Sequence, residues 1–376
     1  MKRITALVIL SLLLLVSPIY AAAPAPMLVY VDQSNHSFIP LRLLNSYEGI
    51  TFNLTAVDKK IEIAQGNTRI TLFAGKSTAK VNDQTVHLQN APFTDNGSTY
   101  VPLQFISQYL NLQVSWQKET SAVRIKQGAT SVTLPVHTGK LPGNTTPITT
   151  AHKSFKVGSR TFSAKVVTIS MLHPKVSLDV ALAGDTIGKV EDLSSLAKRN
   201  QAVVAINGTF FDAYTKSSYK TPYGYLVSHG KMLKKSSGDQ RTVFTYDANQ
   251  LSELVSGSAF EQRLSQGSVE GALQAGPRLV TNGQVSLNVK AEGFKDPKIL
   301  TGGGARSALG MSRDHKLILL TTSGATIPQL AQMMKQAGAY QAMNLDGGAS
   351  SGLYYNGSYL TTPGRQISNA IIVKYQ

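Results

Sequence analysis

The chain has 376 residues, enough for two or three domains, with 42% hydrophobic and 15% charged side chains, a composition that excludes a disordered polypeptide. It contains no cysteine, which excludes disulfide frameworks, thiolate metal sites, iron–sulfur clusters and cysteine nucleophiles together. Lys and Arg number 37 against 21 Asp and Glu, a net charge of +16, and a field of that sign favours anionic partners such as polyphosphates, acidic polysaccharides, nucleic acid or anionic lipid headgroups.

The first element is a leader. Lys2 and Arg3 precede an apolar run from Ile4 to Val16, Pro18 interrupts it, and Ala21–Ala23 supply small residues for cleavage. This pattern predicts a secretory signal peptide over residues 1–23 and therefore a secreted protein. The run is short for a membrane span, and without cysteine no lipid can be attached behind it. The positive charge is unevenly placed. Residues 23–127 hold 9 basic and 7 acidic side chains, whereas residues 128–376 hold 26 and 14. No Arg/Lys tract is long enough for a nucleic-acid arm, so nucleic acid is not expected as a partner.

Next comes an internal repeat at a shift of 62 residues: Ser37-Phe38-Ile39-Pro40-Leu41-Arg42 aligns with Thr99-Tyr100-Val101-Pro102-Leu103-Gln104, and Ile61-Glu62-Ile63 with Val123-Arg124-Ile125. In each copy an X-Pro-Leu strand start leads into a short amphipathic helix and then into alternating strands. Between the copies, residues 80–86 predict a hairpin around Asn82-Asp83. Such repeats bury a shared face by stacking. Residues 28–127 resemble the stalk domain named after the N-terminal domain of copper amine oxidase, common in exported proteins of Gram-positive bacteria. The resemblance implies a small two-repeat α+β attachment or spacer domain that contacts the cell wall. His36 and His87 are isolated, so copper binding is not expected. Gln104 stands where the pattern repeats the arginine seen at Arg42.

Residues 134–152, rich in Pro, Thr and Gly, predict a semi-extended linker. Residues 153–376 form a larger unit expected to be mixed α/β. Leu193, Leu196 and Ala197 have helical spacing, with Asn200 placed at the C-terminus, and Ala202 to Ile206 follow as a buried strand. The order recurs later. Thr326 and Pro328 open a helix, Leu330, Met333, Met334 and Ala337 form its apolar stripe, Gly338 ends it, and Ala342 to Leu345 make the next strand. Polar and glycine residues follow both strands, and the carboxyl ends of strands are where open α/β sheets collect ligands.

Four segments carry the candidate chemistry: Asn207-Gly208-Thr209-Phe210-Phe211-Asp212; Gln274 to Val280, with Gly276-Pro277; Gly302-Gly303-Gly304-Ala305-Arg306 onward to Gly310; and Asn344-Leu345-Asp346-Gly347-Gly348-Ala349-Ser350-Ser351-Gly352. Glycine lets backbone approach a ligand, runs of backbone N–H cradle anions, and an arginine beside them can hold a phosphate bidentately. Arg306 fits that part. Asp346, between a buried strand and a Gly-Gly turn, is a positioned carboxylate. Asn207 and Asn344 offer amides to orient a substrate. No P-loop, nucleophile elbow or His-Glu-x-x-His is present.

Taken in this order, the four segments, with Arg365 and Ser368-Asn369-Ala370 near the end, resemble the phosphodiester glycosidase family over residues 160–376. The family's Asp-Gly after the strand at Leu317–Thr321 appears here as Ser323-Gly324, and its third glycine as Ala349. The resemblance implies hydrolysis of a sugar-1-phosphodiester between the anomeric carbon and the phosphate oxygen; no cofactor is expected, and the motifs assemble no cluster of Asp/His metal ligands. Its leaving group is a phosphate monoester, with a second pKa of about 6, which departs without much help from a general acid. Asp346 is then expected as base, nucleophile or stabiliser of the oxocarbenium charge, Arg306 as phosphate clamp aided by the Gly347 and Gly348 amides, and Asp212 as the second-choice carboxylate. Gly208, Gly276, Ser350, Ser351 and Arg365 complete the expected substrate contacts. Location and charge suggest a phosphate-containing glycan or teichoic-acid-like polymer as substrate. Two rivals remain: a non-catalytic protein that binds anionic glycans, and a metal-dependent phosphodiesterase that breaks the P–O bond.

Overall fold

The computed structural model describes residues 25–376; the expected signal peptide lies outside the described residues. Two lead strands, Ser37–Pro40 and Ser98–Pro102, run antiparallel with Ile39 opposite Val101. Each ends in proline, whose fixed φ and missing N–H suit the entry to a helical turn. The turns that follow, Leu41–Ser46 and Leu103–Tyr109, face inward with Leu41, Leu43, Leu44, Leu103 and Ile106. A hairpin comes next in each copy, Ile50–Thr55 with Lys60–Gln65 and Gln113–Gln117 with Ala122–Gln127. The element order is the same, but the first hairpin lies in a five-stranded sheet and the second in a seven-stranded one. Ile39, Leu44, Ile61, Ile106 and Ile125 meet in one core beneath both. Asn82 and Asp83 both have positive φ, 46° and 69°, as a tight two-residue hairpin turn requires.

Both ends of the expected linker are strand. Thr130–Thr138 pairs with Val29–Val31 and Ala122–Gln127, and Ile148–Val157 pairs with Arg160–Ser170, so the connection shrinks to residues 139–147. Alternation at Val132, Leu134 and Val136 is the strand signal; the Pro and Thr content of the segment hid it. The domains also touch. Leu172 packs with Leu28, Phe38 and Tyr100, and the buried His315 imidazole bonds the Ser121 carbonyl at 3.0 Å.

The molecule is mainly β, with 45% strand and 15% helix, and the C-terminal region holds three sheets of seven, five and five strands. This corrects the mixed α/β expectation for the larger domain. Both anticipated helices form: Leu193–Arg199, ended at Asn200, and Ile327–Gln336, opened by a reciprocal Thr326–Gln329 capping box. Their following strands, however, lie in different sheets and pair antiparallel throughout. Val204–Asn207 sits between Leu353–Tyr355 and Asn369–Tyr375, and Gln341–Asn344 between Gly304–Met311 and Arg278–Thr281. A short apolar run buried on both faces has no period that reveals the direction of its neighbours. Among the described residues, no helix is long and apolar enough to cross a membrane.

Candidate active site

The ends of three strands converge on Asp346, and Asn207 ties them together. Its Nδ2 donates to the Asp346 carbonyl at 2.7 Å, while its Oδ1 accepts from the Ser307 hydroxyl at 2.7 Å and the Gly352 amide at 3.0 Å. The Asp346 amide in turn donates to the Gly208 carbonyl at 3.0 Å. A side chain at Gly208 would overlap Asn369 Oδ1, which accepts from the Thr209 amide at 2.9 Å. Asn344 is wholly buried, its Nδ2 donating to the Gly276 carbonyl at 2.8 Å. Asn207 and Asn344, both expected as substrate contacts, lie behind the cavity lining, where their amides hold the loops; Asn344 Oδ1 is buried with no hydrogen-bond partner among the described residues.

In front of that wall opens a cavity of about 530 Å³ lined by Phe210, Phe211, Tyr214, Tyr223, Arg241, Phe294, residues 296–306 in part, Asp346 to Ala349, and Arg365. That volume is in the range of small-molecule sites. Asp346 and Arg306 line it together. Burial pushes the Asp346 carboxyl up to about 6, against the opposing pull of the Ser350 hydroxyl, the Arg365 charge and the Gly347 amide. The Gly347 amide donates to Asp346 Oδ1 at 2.9 Å, which fixes the carboxylate and removes that amide from the expected phosphate cradle. The Gly348 amide has no partner among the described residues, and Gly348 holds φ +61°.

Arg306 is only 4% exposed. Its Nε donates to the Ala325 carbonyl at 3.0 Å, and its Nη2 to the Lys298 and Gly302 carbonyls, both at 2.7 Å. Three of its five N–H groups are thus spent, and the bidentate clamp is not available. What remains is Nη1, beside Gly347: a side chain there would lie 3.5 Å from it and 3.0 Å from the Ala305 carbonyl. Burial lowers the pKa of Arg306, partly offset by Asp296. No carboxylate forms an ion pair with it among the described residues. Arg365 also lacks a carboxylate partner there; its guanidinium lies 5.9 Å from the Phe211 ring and 5.2 Å from the Tyr214 ring. Arg241, by contrast, is held by Asp239 through Nε at 2.9 Å.

Residues 200–374 match the phosphodiester glycosidase family. The C-terminal domain belongs to that family. The copper amine oxidase N-terminal domain matches residues 23–125 and 90–179. Mouse N-acetylglucosamine-1-phosphodiester alpha-N-acetylglucosaminidase is 27% identical over 176 residues, covering 43% of this chain and 33% of its own. The alignment thus spans about a third of that relative. The catalytic domain of the zebrafish N-acetylglucosamine-1-phosphodiester alpha-N-acetylglucosaminidase, auto-inhibited by its pro-peptide, superposes with a TM-score of 0.53 at 20% identity, over 62% of this chain and 85% of that one. A hypothetical protein from Synechocystis superposes with 0.54 at 15% identity, over 91% and 94%. At these identities the two structures establish shared fold alone.

The phosphodiester glycosidase domain thus brings Asp346, Arg306, Gly347, Gly348 and Arg365 of the anticipated residues to one cavity. Asp212 is not on its lining; its Oδ1 accepts from the Thr215 amide at 3.2 Å and shapes the turn that carries Tyr214. Gly208, Gly276, Ser350 and Ser351 are buried in the supporting wall. Ser323 is exposed on its strand, outside the lining. Sequence reasoning missed Tyr214, Tyr223, Arg241 and Phe294, which reach the cavity from irregular loops, and Asp296 and Lys298, which cap and begin the short helix Pro297–Leu300. The cluster of Tyr214, Tyr219 and Tyr223 was the one available signal. Among the described residues no group of three His, Asp or Glu could hold a metal ion.

Proposed function

We propose that this domain hydrolyses sugar-1-phosphodiesters by breaking the bond between C1 and the phosphate oxygen. Water supplies the oxygen that bonds C1, the electron pair of the broken bond leaves with the phosphate, and the water proton passes to the Asp346 carboxylate or to the departing phosphate. Asp346 acts on the sugar side, as base toward that water or as nucleophile toward C1. Arg306 Nη1, the Gly348 amide and Arg365 meet the phosphate, and Tyr214 and Phe211 offer ring faces to the sugar. The observation that carries this reading is the pairing, in one cavity, of a raised carboxyl with guanidiniums that have no carboxylate of their own. A buried cation without a counter-ion is costly, and a bound phosphate supplies one. Desolvation that strengthens both electrostatic terms is common in sites built for charge separation.

Export, with attachment to the envelope through the N-terminal domain, and a phosphate-containing glycan or teichoic-acid-like polymer as substrate belong to the same proposal. They rest on the leader sequence, the family match and the basic C-terminal region. The test is incubation with a UDP-sugar or another sugar-1-phosphodiester in oxygen-18 water. Label in the released sugar supports C1–O cleavage; label in the phosphate overturns it and favours P–O chemistry, and loss of turnover to a chelator points the same way.

A further inference from the structure

A second cavity, about 460 Å³ in volume, lies in the N-terminal domain, far along the chain from the phosphodiester site. It opens where the two repeats meet: residues 35–37 enter the first lead strand, 87–90 leave the hairpin, and 102–108 form the second copy's helix. None of its fourteen lining residues is Asp, Glu, Lys or Arg, in a chain that has 37 basic and 21 acidic side chains. Instead it presents five side-chain amides, those of Asn35, Gln89, Asn90, Gln104 and Gln108. No side-chain hydrogen bond ties any of the five to another described residue. Elsewhere in the molecule amides do structural work, as Asn207, Asn344 and Asn369 show.

Two further features complete the surface. Asp32 accepts from His36 Nδ1 at 3.1 Å, so in the neutral ring Nε2 is an acceptor. The half-buried Phe105 ring is braced by Tyr109, with centroids 4.9 Å apart, and gives the cavity one apolar face beside Leu103 and Val114. Amides both donate and accept in fixed pairs, which matches a ligand whose groups both donate and accept at regular spacing. A sugar ring has that chemistry on its edge and C–H groups on its face. An anion would leave the amide oxygens facing like partial charge, and a cation would find no carboxylate.

We infer that this cavity is a binding site for an uncharged, hydroxyl-rich glycan strand. It would hold the protein on a polysaccharide matrix by a contact separate in place and in chemistry from the phosphodiester pocket, and it does not depend on that pocket's activity. Gln104 and Gln108 are exposed, so replacing them leaves the core intact; Gln104 standing where the repeat predicts arginine is what keeps the lining uncharged.

The experiment is calorimetric titration of the full chain with tetra-N-acetylchitotetraose and with cellotetraose, at low and high salt, beside the Q104A/Q108A double variant and a Q104R variant. The expected result is salt-insensitive binding of at least one tetrasaccharide, weakened about tenfold or more in the double variant. No binding of either sugar overturns the inference, as does binding that the double variant leaves unchanged. Binding of a phosphorylated polymer by the natural chain that the Q104A/Q108A variant abolishes, with neither tetrasaccharide bound, also overturns it, whereas Q104R is expected to weaken the tetrasaccharide. Folding of each variant is checked by its thermal midpoint.

Discussion

Two cavities of similar size, about 530 and 460 Å³, solve recognition in opposite ways. The C-terminal one gathers three arginines, a lysine and two aspartates on its lining, and the N-terminal one gathers none of these. In the first, burial makes the charges of Asp346 and Arg306 expensive and therefore poised: a carboxyl raised to about 6 shares the cavity with the Arg306 and Arg365 guanidiniums, which form no ion pair among the described residues. In the second, polar groups stay neutral, exposed and untied. The difference separates chemistry from retention. On the proposed reading, strained electrostatics serves a bond that must break, and neutral amides serve a surface that must only hold.

The sharpest way to break this division is at Asp346. Asp346→Asn is expected to lower kcat on a sugar-1-phosphodiester by about a thousandfold while leaving tetrasaccharide binding untouched. The same substitution should stabilise the fold. The native carboxyl takes up its proton at about 6 instead of the ordinary 3.8, so between those values the folded state binds more protons than the unfolded one, and stability falls as pH rises through the window. At pH 7 the penalty is fully present, about 1–3 kcal/mol, and Asn removes it. A variant that loses both activity and thermal midpoint would sink the claim that Asp346 is a strained functional group. In the unaltered protein, kcat/KM should rise with pH through about 6 and then level, because the ionised carboxylate is the working form. A profile flat from 5 to 8 transfers the role to another group.

Arg306→Lys comes next, with a loss of about a hundredfold in kcat/KM. An ammonium is a compact charge on a flexible stem and cannot satisfy the Ala325, Lys298 and Gly302 carbonyls together. The midpoint of thermal unfolding should therefore fall as well, in contrast with Asp346→Asn. Arg365→Gln is milder. Its charge rests against the Phe211 and Tyr214 rings, and the variant should raise KM about tenfold with kcat changed less. A change confined to kcat would argue that Arg365 acts on the reacting centre instead of on the bound phosphate.

How far the sequence disclosed these two regions follows from the physics of each. The lead strands and hairpins of the N-terminal domain were legible because Ile39 and Val101, or Ile61 and Val123, sit in alternating apolar patterns that survive local variation. The pairing of Asp346 with Arg306 was legible because glycine turns after buried strands mark places where backbone must come close. The direction of the pairing strands was not, since Val204–Asn207 and Gln341–Asn344 are short and covered on both faces. Nor was the division between wall and lining. Asn207 and Asn344 have the side chains of substrate ligands, and only three-dimensional closure shows that both lie behind the lining, Asn207 with both amide atoms already bonded and Asn344 with its Nδ2 bonded. Arg306 lines the cavity, but the carbonyls that consume its fork come from residues 298, 302 and 325, whose convergence no spacing announces. Tyr214, Phe294 and Asp296 reach the cavity from loops, where periodicity carries nothing.

The smallest expected effect is a salt series, and it tests the comparison as a whole. Screening shortens from about 10 Å at 0.1 M to about 3 Å at 1 M, so an anionic phosphodiester drawn to Arg306 and Arg365 loses part of its attraction. Burial limits the loss, because Arg306 is only 4% exposed. KM for a sugar-1-phosphodiester should therefore rise only about threefold to fivefold between 0.05 and 0.5 M salt, with kcat nearly constant. The tetrasaccharide's affinity for the amide-lined cavity should change less than about twofold over the same range, since neither partner carries charge. Parallel drift of the two constants would mean that one surface serves both ligands, and the separation of retention from chemistry would fail even with each single-site variant behaving as expected.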